Sequence, residues 1–116
     1  MIISRKALQV FSERQTVDFE SRVLAHWKRC FPAECSSFKD EELVKLIQHG
    51  SQRGAVHGFK TERDRCKYLD LLLLFGRNFD TDPENEWAIQ ILNDSTLEDP
   101  SDRADQLHEQ GLASYI

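Results

Sequence analysis

The amino-acid sequence predicts an all-α fold, a compact bundle of five to six short helices forming a single domain over residues 1–116. Apolar side chains recur every three or four residues along most of the chain, and no stretch alternates strictly between apolar and polar residues as a half-buried strand does. Prolines and glycines mark short turns between the segments. A chain of 116 residues is long enough for one hydrophobic core but not for two.

Two apolar stripes predict the first helical segments, at about residues 4–13 and 16–31. The apolar residues of the second segment follow one another at helical spacing: Phe19, Val23, Leu24, Trp27 and Phe31. Pro32 is expected to end this segment, because the residue before a proline is pushed out of helical geometry. If the two segments are one bent helix, the chain has five helices; if they are separate, it has six.

The third segment is predicted to start near Asp40, with acidic residues in its first turn that complement the helix dipole. Gly50 and Gly54 lie on one face of this segment. Two interpretations are open for this pair. A neighbouring backbone approaches closely there, or the helix frays, since each glycine costs about 1 kcal/mol relative to alanine.

The fourth segment has the clearest helix signals. Residues Thr61 to Asp64 resemble a capping box with aspartate in place of glutamate, and Gly76 marks the end. The run Leu71 to Phe75 is apolar on every side, which predicts that this helix lies at the centre of the core.

Two Asp-Pro pairs predict the starts of the last two helices. Asp82 and Asp99 each precede a proline, which is the arrangement of an N-cap followed by proline at the first helical position. The fifth segment is expected to bury Trp87 and Ile91, and the last to run from Pro100 to about residue 114.

The composition argues against several classes of protein. The chain has 15 basic and 20 acidic residues, a net charge of −5, so nucleic acid is a poor candidate partner. Its longest apolar run has five residues against the roughly twenty of a membrane-spanning helix, and no signal peptide is evident. The odd set of three cysteines is read as reduced thiols. We therefore expect a soluble cytoplasmic protein that does not bind membranes.

No metal site or other cofactor is predicted. His26 and Cys30 lie four residues apart with Cys35 just beyond, and that face could hold zinc only with a fourth ligand from elsewhere. The chain has no Cys-x-x-Cys pair and no His-x-x-x-His pair, and cysteines are commonly buried without a metal. The acidic residues from Asp80 onward begin like a calcium-binding loop, but Ile91 stands where its last glutamate is needed.

No catalytic residues are predicted either. The sequence contains no nucleophile in a strained turn beside a base and no glycine-rich phosphate loop. Its many carboxylates are typical of solvated helix faces, so no catalytic pair can be picked out. We expect a protein that is not an enzyme.

The aromatic residues suggest a protein-binding surface. Phe79 lies in the connection between Gly76 and Pro83, flanked by Arg77, Asp80 and Asp82. An apolar anchor inside a charged rim suits a partner surface, so these four residues are the predicted partner-binding site. The alternative is that Phe79 plugs the base of the bundle.

Several segments together resemble a family of small bacterial proteins often encoded beside type VI secretion spike, PAAR-tip and effector-chaperone genes. The resemblance covers roughly residues 19–112. Its most recognisable pieces are Thr61 to Asp64, Tyr68 to Leu71, the connection from Gly76 to Pro83, and Trp87. The resemblance implies an accessory role but no catalytic residues.

The resulting hypothesis is an adaptor or co-chaperone that helps to load or stabilise a type VI secretion effector or its chaperone. One alternative is an immunity protein whose acidic surface neutralises a toxin. The other is a small enzyme, which should show a concave pocket lined by titratable groups. A homodimer formed through a helix face is also compatible with the sequence.

Overall fold

The computed structural model describes the backbone of residues 5–115 and the side chains of residues 14–115. This part of the chain contains helices and no strand, which confirms the predicted all-α fold. Six α-helices and one 3₁₀ turn are described: α1 (Arg5–Cys30), α2 (Pro32–Cys35), α3 (Asp40–Val56), α4 (Glu62–Phe75), the 3₁₀ turn (Pro83–Asn85), α5 (Glu86–Leu92) and α6 (Pro100–Tyr115).

The first two predicted segments form one continuous helix, α1. No glycine or proline interrupts the chain between them, so nothing breaks the helical hydrogen bonds. The side chains of the first stripe, at about residues 4–13, lie outside the described side chains. Pro32 ends α1 as predicted and also opens the short helix α2, which brings the described helices to six.

Helix α4 is the central helix of the bundle, as predicted. It packs against α3 on one side and α6 on the other, and it also touches α1. Its side chains at Leu69, Leu71 and Leu72 are fully buried. Full burial of each of these side chains contributes about 1.5–3 kcal/mol relative to leaving it exposed.

Glycines of the flanking helices let the leucines of α4 approach closely. A Cβ atom on Gly50 of α3 would lie 2.4 Å from Leu69 Cδ2, and one on Gly111 of α6 would lie 2.3 Å from Leu71 Cδ2. Both distances are too short for a Cβ atom, so only glycine fits at these two positions without a shift of the leucine side chains. A neighbour does approach Gly50 closely, but the prediction that it is a backbone is wrong, because the contacting atoms belong to the side chains of Leu69 and Leu72. The helix does not fray, since α3 continues to Val56.

The three predicted caps are formed. Thr61, Asp82 and Asp99 each accept a hydrogen bond from a backbone N–H two or three residues ahead, at 2.9–3.1 Å. The Asp82 cap opens the 3₁₀ turn, from which α5 continues. Asp64 does not complete the capping box. Its carboxylate instead accepts a hydrogen bond from Ser101 Oγ at 2.7 Å, which ties α4 to α6.

Candidate functional site

The predicted partner-binding residues do not form one surface. Phe79 is only 1% exposed, with its ring centroid 5.2 Å from that of Tyr68, and Asp80 is also buried. Arg77 is exposed and Asp82 half-buried. The prediction of Phe79 as an exposed anchor is wrong because the connection turns back on itself after Gly76, and the alternative that Phe79 plugs the base of the bundle is confirmed.

A buried ionic cluster holds this connection against α3 and α4. We call Arg53, His57, Tyr68 and Asp80 the Asp80 cluster. One oxygen, Asp80 Oδ2, accepts from Arg53 Nη2 at 2.8 Å and Nε at 3.1 Å, from His57 Nε2 at 2.8 Å and from the Tyr68 hydroxyl at 3.1 Å. The carboxylate is thus surrounded by donors from both helices.

The electrostatics of the Asp80 cluster favour its charged form. Burial opposes ionisation, but hydrogen bonds from His57 and Arg53 and the charge of Arg53 outweigh it, and the pKa of Asp80 lies below its ordinary value. The hydrogen bonds that Arg53 donates to Asp80 and the negative charge of Asp80 raise the pKa of Arg53. Burial and the neighbouring carboxylate raise the pKa of Tyr68, which keeps its hydroxyl a donor. The charges of Arg53 and Asp80 balance each other, and the hydrogen bonds to Asp80 hold the connection after Gly76 against α3 and α4. We call this a clamp.

A second buried aspartate, Asp70, lies in the middle of α4. Its Oδ1 accepts from Trp27 Nε1 at 3.1 Å and lies 3.1 Å from His26 Nε2, both on α1. Its Oδ2 lies 3.1 Å from His108 Nε2 on α6. Asp70 is 4% exposed, and the two histidine side chains are about one-quarter exposed. The carboxylate therefore joins three helices.

Cys66 lies one turn before Asp70 and completes this site. The nearest ligand atoms of His26, Cys66 and Asp70 all lie within 4.8 Å of one another. Burial, the charge of Asp70 and the neighbouring Cys30 raise the pKa of the Cys66 thiol to about 11. We call His26, Cys66, Asp70 and His108 the Asp70 cluster.

The sequence suggested Cys30 and Cys35 as possible zinc ligands beside His26. Cys30 Sγ does lie 3.5 Å from His26 Nδ1. Cys35, the last residue of α2, is buried and is not part of the Asp70 cluster. The sequence feature that could have located this cluster is Asp70 itself, an acidic residue inside a run of leucines. A charge in that position requires buried partners.

A groove opens between α3 and the end of α4, on a different face of the bundle. It has a volume of about 330 Å³ and is lined by Phe38, Glu42, Lys45, Leu46, Leu72, Leu73, Gly76 and Arg77. Leu72 and Leu73 form a buried floor, and Phe38, which is 42% exposed, forms one wall. We call this the α3–α4 groove. Arg77 is the predicted site residue that lies on it.

The rim of the groove carries two cations without an acidic partner. Lys45 makes no ion pair with any described residue, and Arg77 makes only a 3.4 Å contact with His49 Nδ1. Several other basic residues of the described chain, such as Arg53 and Arg63, are paired with aspartates. The groove therefore has a largely apolar lining with two cations, Lys45 and Arg77, and one carboxylate, Glu42, which accepts a hydrogen bond from the backbone N–H of Lys39.

Comparison of the chain with protein-family models, with curated protein sequences and with solved structures finds no match in any of the three. Among the helices that the structure describes, none combines the length and the apolar character needed to cross a membrane.

Proposed function

We propose that this chain is a non-enzymatic accessory protein that binds another protein through the α3–α4 groove and acts in the cytoplasm. The observation that carries the proposal is the combination, in one groove, of an apolar floor and unpaired cations at the rim. Three free thiols, one of them buried at Cys35, are compatible with a reducing compartment.

The apolar part of the groove suits an inserted side chain. A volume of about 330 Å³ is at the lower end of the range for binding pockets and accommodates one or two large apolar side chains. Protein interfaces concentrate their binding energy in such anchors, surrounded by a polar rim. Phe38 is exposed at the edge of the groove, where a partner would cover it.

The charged part of the groove defines the chemistry of the partner. Lys45 and Arg77 favour acidic side chains beside the inserted anchor, since complementary charge speeds association and suppresses wrong partners. The expected ligand is an amphipathic segment, an apolar anchor flanked by Asp or Glu, as in helix-in-groove recognition.

The class of partner follows from the resemblance described above. A co-chaperone of type VI secretion binds an effector or its chaperone and helps to load or stabilise it. Under this proposal the groove receives an acidic, amphipathic segment of that effector or chaperone.

The test is co-expression of the tagged protein with each effector and chaperone encoded beside its gene. The measurements are the amount that co-purifies and the solubility of the effector. Arg77→Glu reverses one rim charge and Phe38→Ala removes one wall, and both residues are exposed, so the fold should survive. Each variant is expected to reduce co-purification at least about tenfold.

Lys60→Glu is the matched control. Lys60 is an exposed lysine just before α4, at the opposite end of that helix from Gly76 and Arg77, and its reversal makes the same change in net charge as Arg77→Glu. Binding that is unchanged by the groove variants, or lost equally in the control, would rule out the groove. Protection of cells from a neighbouring toxin, without a gain in effector solubility, would indicate an immunity protein instead.

A further inference from the structure

Three side chains of the types that bind zinc lie together where α1 packs on α4: His26, Cys66 and Asp70, whose ligand atoms fall within 4.8 Å of one another. A fourth, His108 of α6, lies just outside this group, with its Nε2 3.1 Å from the Oδ2 of Asp70. Zinc in proteins is bound by these ligand types in a tetrahedral arrangement. From these side chains we infer that the Asp70 cluster is a zinc-binding site.

The separations of the ligand atoms fit this geometry. Zinc bonds of about 2.0–2.3 Å in a tetrahedron place the ligand atoms about 3.3–3.8 Å apart. His26 Nε2 and His108 Nε2 already lie 3.1 Å from separate oxygens of Asp70, and the His26, Cys66 and Asp70 atoms fall within 4.8 Å of one another. Three ligands are thus within reach of one ion, and His108 supplies the fourth bond by turning from Asp70 Oδ2 towards it.

Groups around the cluster hold its ligands in place. The indole N–H of Trp27, which is fully buried, donates to Asp70 Oδ1 at 3.1 Å and fixes the carboxylate. The other ring nitrogen of His26, Nδ1, lies 3.5 Å from Cys30 Sγ. Such outer partners orient zinc ligands and set the tautomer of a ligating histidine.

Charge balance supports a divalent cation here. Thiolate and carboxylate together carry two negative charges, and the two imidazoles are neutral ligands, so a bound Zn²⁺ gives a site of zero net charge. On binding, Cys66 releases its proton to solvent, and each histidine carries its proton on Nδ1, leaving Nε2 free for the metal. For His26 that proton then points towards Cys30 Sγ. Zinc would cross-link three helices and stabilise the fold.

Cobalt(II) replaces zinc and reports its ligands by absorption, so it provides the test. The chelator-treated, full-length protein is titrated with cobalt(II) while helix content is checked by circular dichroism. The expected spectrum has intense tetrahedral d–d bands and a thiolate-to-cobalt charge-transfer band, and zinc abolishes both. Cys66→Ser should remove the charge-transfer band, and His26→Ala and His108→Ala should each weaken cobalt binding at least about tenfold.

Two cysteine variants serve as controls. Cys35→Ser removes a buried thiol outside the cluster and should leave the spectrum unchanged. Cys30→Ser should keep the charge-transfer band, since its sulfur faces the non-ligating nitrogen of His26. The inference is overturned if the folded wild-type protein gives only a weak octahedral spectrum without charge transfer. It is also overturned if the band survives in Cys66→Ser and is lost in Cys30→Ser or Cys35→Ser.

Discussion

Two of the buried aspartates of this small bundle, Asp70 and Asp80, differ in how their charge is balanced. Asp80 faces the guanidinium of Arg53, a permanent cation, together with Tyr68 and His57. Asp70 is equally buried, but its hydrogen-bond partners are one indole and two histidines, none of which carries a fixed charge.

The difference explains why one cluster is closed and the other is able to take a ligand. A carboxylate paired with arginine already has its counter-charge inside the fold, and a further cation there would be repelled. A carboxylate whose neighbours are imidazoles and a thiol has ligands beside it and no permanent cation. We therefore assign a structural role to the Asp80 cluster and a binding role to the Asp70 cluster.

The largest expected effect is that of Asp80→Asn. The substitution leaves Arg53 and His57 beside an uncharged amide, and loss of one partner of a buried ion pair costs about 3 kcal/mol of unfolding free energy. The Arg53 side chain is 34% exposed, which keeps the loss near the lower end of the usual range. Urea denaturation at neutral pH measures it. A smaller loss than that of Asp70→Asn would contradict the claim that Asp80 is the more strongly paired of the two aspartates.

Acidification should reproduce part of that loss. The folded-state pKa of Asp80 lies below its ordinary value of 3.8, so its stabilisation is fully present above that pH and is lost as the pH falls through the folded-state pKa. The unfolding free energy of wild type should therefore fall more steeply than that of Asp80→Asn between about pH 5 and about pH 2. Parallel pH profiles for the two proteins would show that Asp80 is not stabilised in its charged form.

The metal-free Asp70→Asn variant should lose less, about 1–2 kcal/mol. The amide keeps an oxygen for Trp27 but weakens the contacts with His26 and His108. The same change removes a buried charge that has no permanent counter-ion, and this relief offsets part of the loss. Denaturation of the chelated protein measures the effect. A loss as large as that of Asp80→Asn would indicate that Asp70 also serves as a clamp.

Tyr68→Phe should have the smallest effect, about 1 kcal/mol. It removes one hydroxyl donor to Asp80 and leaves the ring packed against Phe79 and Phe59, while Arg53 still neutralises the carboxylate. Denaturation alongside Asp80→Asn gives the ratio of the two losses. If Tyr68→Phe cost as much as Asp80→Asn, the hydroxyl and not the ion pair would be the main support of the cluster.

Features set by a few neighbouring residues were predictable from the sequence. The caps at Thr61, Asp82 and Asp99 and the break at Pro32 depend on local geometry, and the central position of α4 follows from a run that is apolar on all sides. The helical periodicity was enough to establish the fold class.

The clusters depend on tertiary contacts that no local pattern encodes. The connection carrying Phe79 and Asp80 has the sequence of a polar loop, and its partners are distant in the chain: Arg53 lies 27 residues from Asp80, and Tyr68 packs against Phe79. His26 and His108 are 44 and 38 residues from Asp70, so no ligand spacing appears in the sequence. The groove likewise depends on how α3 packs beside α4.

Urea unfolding of wild type, Asp70→Asn and Asp80→Asn, with and without excess zinc, tests the comparison most directly. At a free zinc concentration of a hundred times the Kd, binding to the folded state alone adds about 2.7 kcal/mol. We expect wild type and Asp80→Asn to gain about this amount and Asp70→Asn to gain little. An equal gain in all three proteins, or no gain in wild type, would contradict the assignment of a closed cluster at Asp80 and a binding cluster at Asp70.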